Sequence, residues 1–336
     1  MEWKREMAKF KVFVTRQLPG QGLEKLKTIA DVEINPEDRV LTREELIRGV
    51  SGKDSVISLL TDKIDAQVMN SSKRLKVISN CAVGFDNIDL KAATERGIYV
   101  TNTPEVLTET VADLTWALIL GVARRLVEAD QFLRSGRWRG WAPMLLLGND
   151  VYNKTLGIVG LGRIGVAVAQ RAKGFNMRIL YYDTIRYEKV ERELGLTYVS
   201  FENLLKEADY ITIHVPLLPS THHMIGEREL KLMKPTAYLI NTSRGPIVDE
   251  NALFNALKNR TIAGAGLDVF EKEPIDKDNP LIGLENSILL PHVASGTIET
   301  RTAMANLAIE NLMSVLQGKM PPSLVNRDVI KVRPLD

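Results

Sequence analysis

Two kinds of hydrophobic pattern alternate along the chain. Short runs rich in valine, isoleucine and leucine have strand length. Between them lie stretches where apolar residues recur every three or four positions, as one face of a helix requires. FKVFVT at 10–15, SVISLL at 55–60 and LKVISN at 75–80 are of the first kind. GLEKLKTIA and NIDLKAATERG, the latter ending at Gly97 before IYVTNTP, are of the second. Strands that alternate with helices need crossover connections. The first ~100 residues therefore predict a complete α/β domain with a parallel sheet.

Pro104 interrupts this series. The next stretch, EVLTETVADLTWALILGVARRLVEADQFLRSGRW, predicts one long helix, with Val111, Leu114, Leu118 and Val122 on one face and a more polar end from Arg124 and Arg125. Gly136, Gly140 and Pro143 then break the helical pattern. A second α/β series starts at 155, with TLGIVG, RILYYD, YITIHVP, AYLINTS, IAGAGLDVF and SILLPHVAS as six predicted strands. Helical stretches such as FENLLKEA and ENALFNALKNR fill the gaps. That pattern predicts a doubly wound nucleotide-binding sheet. A last helix, TIETRTAMANLAIENLMSVLQG, stops at Gly318 ahead of Pro321 and Pro322.

The chain has 336 residues, 45% of them hydrophobic and 26% charged. That length suggests about two domains. Lys and Arg (44) nearly balance Asp and Glu (42), for a net charge of +2. No basic stripe is interleaved with aromatics, so neither a nucleic-acid nor an anionic-membrane partner is expected. Apolar stretches such as LTWALILGVA are too short to span a bilayer. The N-terminal MEWKREMAKFKVFVT carries charges where a signal peptide needs an apolar core. The single cysteine, Cys81, permits no intramolecular disulfide and reads as a small buried residue. A soluble cytoplasmic protein is expected.

The stretch LGIVGLGRIGVAVAQRA at 156–172 holds Gly160, Gly162 and Gly165 in G-x-G-x-x-G spacing. The first glycine suits a tight strand-to-helix turn, the second lets backbone approach a pyrophosphate, and the third lets helix pack on sheet. Leu161, Arg163 and Ile164 complete this loop and open the helix, whose free N–H groups suit phosphate. MRILYYD then ends in Asp183, about 20 residues past the glycines, where an acid accepts ribose hydroxyls and repels a 2′-phosphate. NAD is therefore expected as the cofactor in preference to NADP. Arg186 nearby argues the other way, since an arginine there accommodates a 2′-phosphate.

All four histidines, His214, His222, His223 and His292, lie in the C-terminal half. His292 follows the predicted strand SILLP, Arg244 follows AYLI, and Asp268 and Glu273 follow AGAGL. Ligands of open α/β sheets bind at such strand ends. Hydride transfer to a ketone needs a proton donor for the oxygen, and a histidine serves near neutral pH. A carboxylate on its other nitrogen fixes the tautomer. A guanidinium pairs with a substrate carboxylate. His222 and His223 lack a third ligand at zinc-like spacing, so no metal is expected. His214 reads as packing.

NTSRGPIVDENAL, AGAGLDVFEKEP and LLPHVASGT, with AVGFDNIDLKAATERGIYVTNTP and VADLTWALILGVARR, closely resemble the D-isomer-specific 2-hydroxyacid dehydrogenases. The resemblance covers essentially the whole chain and is nearest to glyoxylate/hydroxypyruvate reductases. It implies an α/β protein of two domains, a Rossmann dinucleotide-binding domain inserted into a flavodoxin-like substrate-binding domain. The domains would be 104–292 and, discontinuously, 1–103 with 293–336. It implies reduction of a small 2-oxo acid, with Arg244 on substrate, Glu273 supporting the histidine, and His292 as acid/base. Asp268 would hold the nicotinamide carboxamide region, and Thr242 and Val215 would line the cofactor cleft. Val83 and Gly84 would offer N–H groups to the substrate carboxylate, and Leu59 and Leu60 would wall the pocket. A homodimer is implied, through the dinucleotide domains and the arm around 125–150, with Trp138 and Trp141 near the neighbouring subunit.

Two alternatives arise from the same resemblance. RSGRWRGWAP at 134–143 has some flavour of the phosphite dehydrogenases, but those place a lysine where Val83 stands here. Other relatives are NAD-sensing corepressors that only bind. The complete arginine, glutamate and histidine set favours an enzyme.

Overall fold

The computed structural model describes residues 9–335. The first eight residues of the charged N-terminal stretch lie outside them. Two compact units are present, one running to Leu107 and resuming at Gly296, the other comprising Thr108–Ser295.

In the first unit the order is β1 (Phe10–Val14), α1 (Gly22–Lys27), β2 (Ala30–Ile34), α2 (Arg43–Val50), β3 (Ser55–Ser58), α3 (Ala66–Asn70), β4 (Val77–Asn80), α4 (Leu90–Glu95) and β5 (Tyr99–Thr101). These strands form a parallel sheet in the order β2-β1-β3-β4-β5. That is the flavodoxin-like order, with the switch between β1 and β3. Three of the helices start on side-chain caps: Thr42 in a capping box, then Asp65 and Asp89.

The second unit runs α5 (Thr108–Ala123), α6 (Leu126–Arg134), β6 (Thr155–Val159), α7 (Arg163–Ala172), β7 (Arg178–Tyr182), α8 (Glu188–Leu194), β8 (Leu196–Tyr198), α9 (Phe201–Glu207), β9 (Tyr210–Ile213), α10 (Glu227–Leu232), β10 (Tyr238–Asn241), α11 (Glu250–Lys258), β11 (Gly264–Leu267) and β12 (Ser287–Leu289). Its seven parallel strands lie in the order β12-β11-β10-β9-β6-β7-β8. Read from β6, this is the doubly wound order extended by one strand, with its switch point between β6 and β9. Alternate strand residues serve opposite faces. Leu156, Ile158, Tyr210 and Ile240 join the core under α5 and α7. Val159, Ile211, Ile213 and Leu239 join the core under α9, α10 and α11. Each fully buried aliphatic side chain contributes roughly 1.5–3 kcal/mol.

The chain then re-enters the first unit through α12 (Ile298–Leu316) and α13 (Val329–Val332). Ser79 of β4 donates to the Ala308 carbonyl of α12 at 2.7 Å, which pins the returning helix on its sheet. No helix among the described residues is long and apolar enough to cross a membrane.

Three expectations need correction. The single long helix after Pro104 is two, because Arg125 adopts φ +53° and ends the helical run. Val111, Leu118 and Val122 are buried on α5 as expected, but Leu114 is only half-buried, and Thr115, Trp116 and Ile119 join the buried face. The second sheet has seven strands rather than six; β8 and, in the first sheet, β2 escape a hydrophobicity reading. Both are edge strands, and polar residues alternate through them because one side meets solvent.

Candidate active site

The glycine loop joins β6 to α7. Gly160 has φ +94°, and a Cβ there would lie 2.8 Å from Val215 Cγ1 and 2.9 Å from the His214 carbonyl. A Cβ on Gly165 would fall 2.3 Å from the Gly160 carbonyl oxygen. The chain's own packing demands these two glycines. Gly162 is different: its backbone is extended, it caps α7, and a Cβ there would meet nothing within 4 Å. The open space lies at the N-terminus of a ten-residue helix whose first residues are Arg163 and Ile164. An anionic phosphate fits that position on both steric and dipole grounds. Leu161 is buried, and its N–H donates to Asp183 Oδ2 at 2.8 Å. Asp183, directly after β7, is thus tied to the glycine loop, with Oδ1 accepting the Ile185 N–H at 3.3 Å.

His214 and Val215 follow β9. The His214 Nε2 is buried with no hydrogen-bond partner among the described residues. Burial pushes this imidazole down to about 3, so it is neutral. At the end of β10, buried Asn241 shapes the next loop. Its Nδ2 donates to the Arg244 carbonyl at 2.8 Å and its Oδ1 accepts the Ser243 N–H at 3.0 Å. Arg244 Nη1 donates to the Ser243 carbonyl at 2.8 Å. Thr242 Oγ1 lies 2.9 Å from Thr115 Oγ1 of α5. A Cβ on Gly245 would sit 1.9 Å from the Phe270 carbonyl, so the Arg244 loop rests directly on the strand-end loop that carries Glu273.

Between that loop and the one after β12, His292 Nδ1 and Glu273 Oε2 are 2.7 Å apart. Glu273 Oε1 accepts the Phe270 N–H at 3.0 Å. Burial raises the Glu273 carboxyl, but the hydrogen bond and charge of His292, the Phe270 N–H and the Arg244 charge outweigh it and hold it below its ordinary value. An ionised Glu273 can only accept, so Nδ1 carries the proton in this pair.

Asp268 holds His292 in place. Its backbone carbonyl accepts the His292 N–H at 2.9 Å, and its two carboxylate oxygens accept the N–H groups of Val293 and Ala294 at 2.8 Å each. His292 sits at φ +54°, a conformation that costs a β-carbon residue about 1 kcal/mol or more and persists where neighbours enforce it. Burial raises the Asp268 carboxyl above its ordinary value, against the pull of those two N–H groups and of His292. The side chain is 0% exposed. Each carboxylate oxygen thus accepts one backbone N–H of the histidine loop and keeps a second acceptor site.

The remaining expected residues belong to the first unit. The Val83 carbonyl accepts Asn102 Nδ2 at 2.8 Å and the Gly84 carbonyl accepts Asn80 Nδ2 at 2.9 Å. A trans peptide opposes its N–H to its carbonyl. The Gly84 N–H therefore points away from Asn102. The Leu59 N–H donates to buried Asp62 at 2.8 Å, and Leu59 and Leu60 are half-buried. Cys81 is buried, which pushes its thiol up to about 12 and leaves it inert.

Residues 116–294 match the model of the D-isomer specific 2-hydroxyacid dehydrogenase NAD-binding domain. The chain belongs to the D-isomer specific 2-hydroxyacid dehydrogenase family. It is 55% identical over 325 residues to a glyoxylate reductase of Korarchaeum cryptofilum, covering 96% of this chain and 98% of that protein. It is 52% identical over 328 residues to a glyoxylate reductase of Thermococcus litoralis, covering 96% and 99%. Among solved structures it resembles a Thermus thermophilus protein at TM-score 0.89 and 46% identity, covering 94% and 99% of the two chains. It also resembles an NADPH-dependent glyoxylate/hydroxypyruvate reductase of Sinorhizobium meliloti, solved with NADP and malonate, at TM-score 0.83 and 35% identity, covering 96% and 98%.

Sequence reading missed two supports of this dehydrogenase site. Thr115 was not singled out, and its contact with Thr242 spans 127 residues of sequence. His223 passed for solvated or structural. It has φ +50°, and its Nε2 lies 2.7 Å from Glu271, two residues before Glu273. Glu271 and Glu250 also accept each other's backbone N–H, at 3.1 and 3.0 Å. Only the fold brings these partners together.

Proposed function

We propose that the protein reduces a small 2-oxo acid, glyoxylate or hydroxypyruvate, to the 2-hydroxy acid with NADH, reversibly. The observation that carries this reading is the His292–Glu273 pair at 2.7 Å, with the Arg244 charge on the same strand-end edge. A bound dinucleotide supplies the hydride. Arg244 binds and orients the substrate carboxylate. His292 donates its Nε2 proton to the carbonyl oxygen, and Glu273 stabilises the imidazolium before the transfer and fixes the ring throughout. In the oxidative direction neutral His292 takes the hydroxyl proton back. The names of the glyoxylate reductases at 55% and 52% identity support the substrate class.

The same reading gives Gly160, Leu161, Gly162, Arg163, Ile164 and Gly165 to the pyrophosphate, and Val215 and Thr242 to the nucleotide. It gives Leu59, Val83 and Gly84 to the substrate. Asp183 favours NADH over NADPH through its charge beside the ribose. Homodimerisation is proposed through the 126–147 arm, where Leu126, Val127, Leu133, Trp138, Met144 and Leu147 are exposed and Trp141 is 84% exposed.

A rate panel tests the reading: glyoxylate, hydroxypyruvate, pyruvate, a bulky 2-oxo acid and phosphite, each with both cofactors. Fastest turnover is expected for glyoxylate or hydroxypyruvate with NADH. Turnover of phosphite alone, or none at all, would overturn it.

A further inference from the structure

The turn after β7 carries a cation that the cofactor reading leaves unexplained. Arg186 stands three residues beyond Asp183. A guanidinium so close to a ribose-binding acid is the group that accommodates a 2′-phosphate in sheets of this type. Here it is turned toward α8. Its Nε and Nη2 donate to Oε1 and Oε2 of Glu191 at 2.9 Å each, a bidentate pair. The Glu191 side chain is 12% exposed, against 57% for Arg186, so the acid is the fixed partner. Glu191 Oε1 also accepts the Tyr181 hydroxyl at 2.6 Å, and that hydroxyl accepts the Tyr187 N–H at 2.9 Å. The Tyr181 ring is fully buried in β7. The guanidinium lies 5.8 Å from the Tyr198 ring centre, and the Tyr198 hydroxyl donates to the Asp183 carbonyl at 3.3 Å. Arg186 is thus held one aromatic ring away from the Asp183 backbone. A lone surface ion pair holds little. This one uses both carboxylate oxygens and two guanidinium donors, and its acid is anchored to the sheet core.

We propose that Glu191 is a specificity-determining residue: by holding Arg186 against α8 it withholds that cation from the ribose 2′ position and leaves the choice of cofactor to Asp183. This rests on the reading that Asp183 meets the adenosine ribose. Steady-state kcat/KM with NADH and with NADPH, measured on the full-length enzyme, tests it. Glu191→Gln removes the charge and keeps an acceptor for Tyr181. It is expected to raise NADPH use about fivefold, the worth of one partly solvated charged hydrogen bond, with NADH use within about twofold. Arg186→Met alone is expected to leave NADPH use unchanged, and the double variant to return it to the wild-type value. No gain in Glu191→Gln, a gain that survives in the double variant, or a loss in Arg186→Met alone would each overturn the proposal. A wild type that prefers NADPH would instead overturn the cofactor reading. The Arg186→Met arm still decides the present one: unchanged NADPH use supports a sequestered arginine, and lost NADPH use refutes it. That arm also stands if Glu191→Gln does not fold.

Discussion

The loops that face chemistry in the second unit are built from two different materials. The loop after β6 is built from backbone: its glycines are there for what they lack, and Gly162 opens onto space that no neighbour fills. The loops after β10, β11 and β12 are built from side chains that brace one another. Asn241 shapes the Arg244 loop, Asp268 clamps the His292 loop, and Glu273 orients the imidazole. A phosphate carries permanent charge and asks only for N–H groups and room. A proton donor needs a defined tautomer and direction, and those take several side chains.

Substitutions separate the two designs. The largest effect is expected from His292→Ala, which removes the proposed proton donor: turnover should fall about 10³-fold while NADH binding, followed by fluorescence titration, changes little. Wild-type turnover in this variant would remove His292 from the mechanism. A smaller contrast lies inside the glycine loop. Gly165→Ala forces a Cβ onto the Gly160 carbonyl oxygen and should cost about 1–3 kcal/mol in denaturant unfolding. Gly162→Ala should cost under about 1 kcal/mol of stability and weaken NADH binding instead. Equal stability losses in the two would mean that Gly162 serves folding rather than a ligand.

The smallest effect is expected from Glu273→Gln, which keeps the shape of the pair and removes its charge. Without that charge the Nδ1–H loses an ionised acceptor and the ring its firm orientation, so turnover should fall about fivefold while NADH binding holds. Stability reports on the same group. The Glu273 carboxyl is held below its ordinary value, so its contribution is complete above the unfolded carboxylate range and is lost as pH falls through the folded value. The variant should therefore show a flatter acid limb in thermal melts. Unchanged turnover would leave Glu273 a structural anchor only.

Legibility followed the same division. Gly160, Gly162, Gly165 and Asp183 lie within 24 residues, and local spacing marks them. Arg244, Glu273 and His292 were found because each follows a hydrophobic run, which marks a strand end. Their supports were not legible in the same way. Thr115 and His223 have no partner nearby in sequence, so no local pattern marks either. The edge strands β2 and β8 were missed because half their residues meet solvent.

Hydrophobic alternation and glycine spacing by themselves determined two α/β sheets, the glycine turn between β6 and α7 and which side chains stand at strand ends. These are properties of neighbours along the chain, set by backbone geometry and burial. Tertiary structure decided what those side chains do to each other. It turned both Asp268 oxygens onto the histidine loop, and it set Glu273 against His292 Nδ1. It drew Arg186 onto Glu191. The Asp268 and Glu273 bonds join the loops after β11 and β12, so their geometry exists only once the sheet has brought those strands together; the Arg186–Glu191 pair spans five residues, and Tyr181 of β7 fixes its acid.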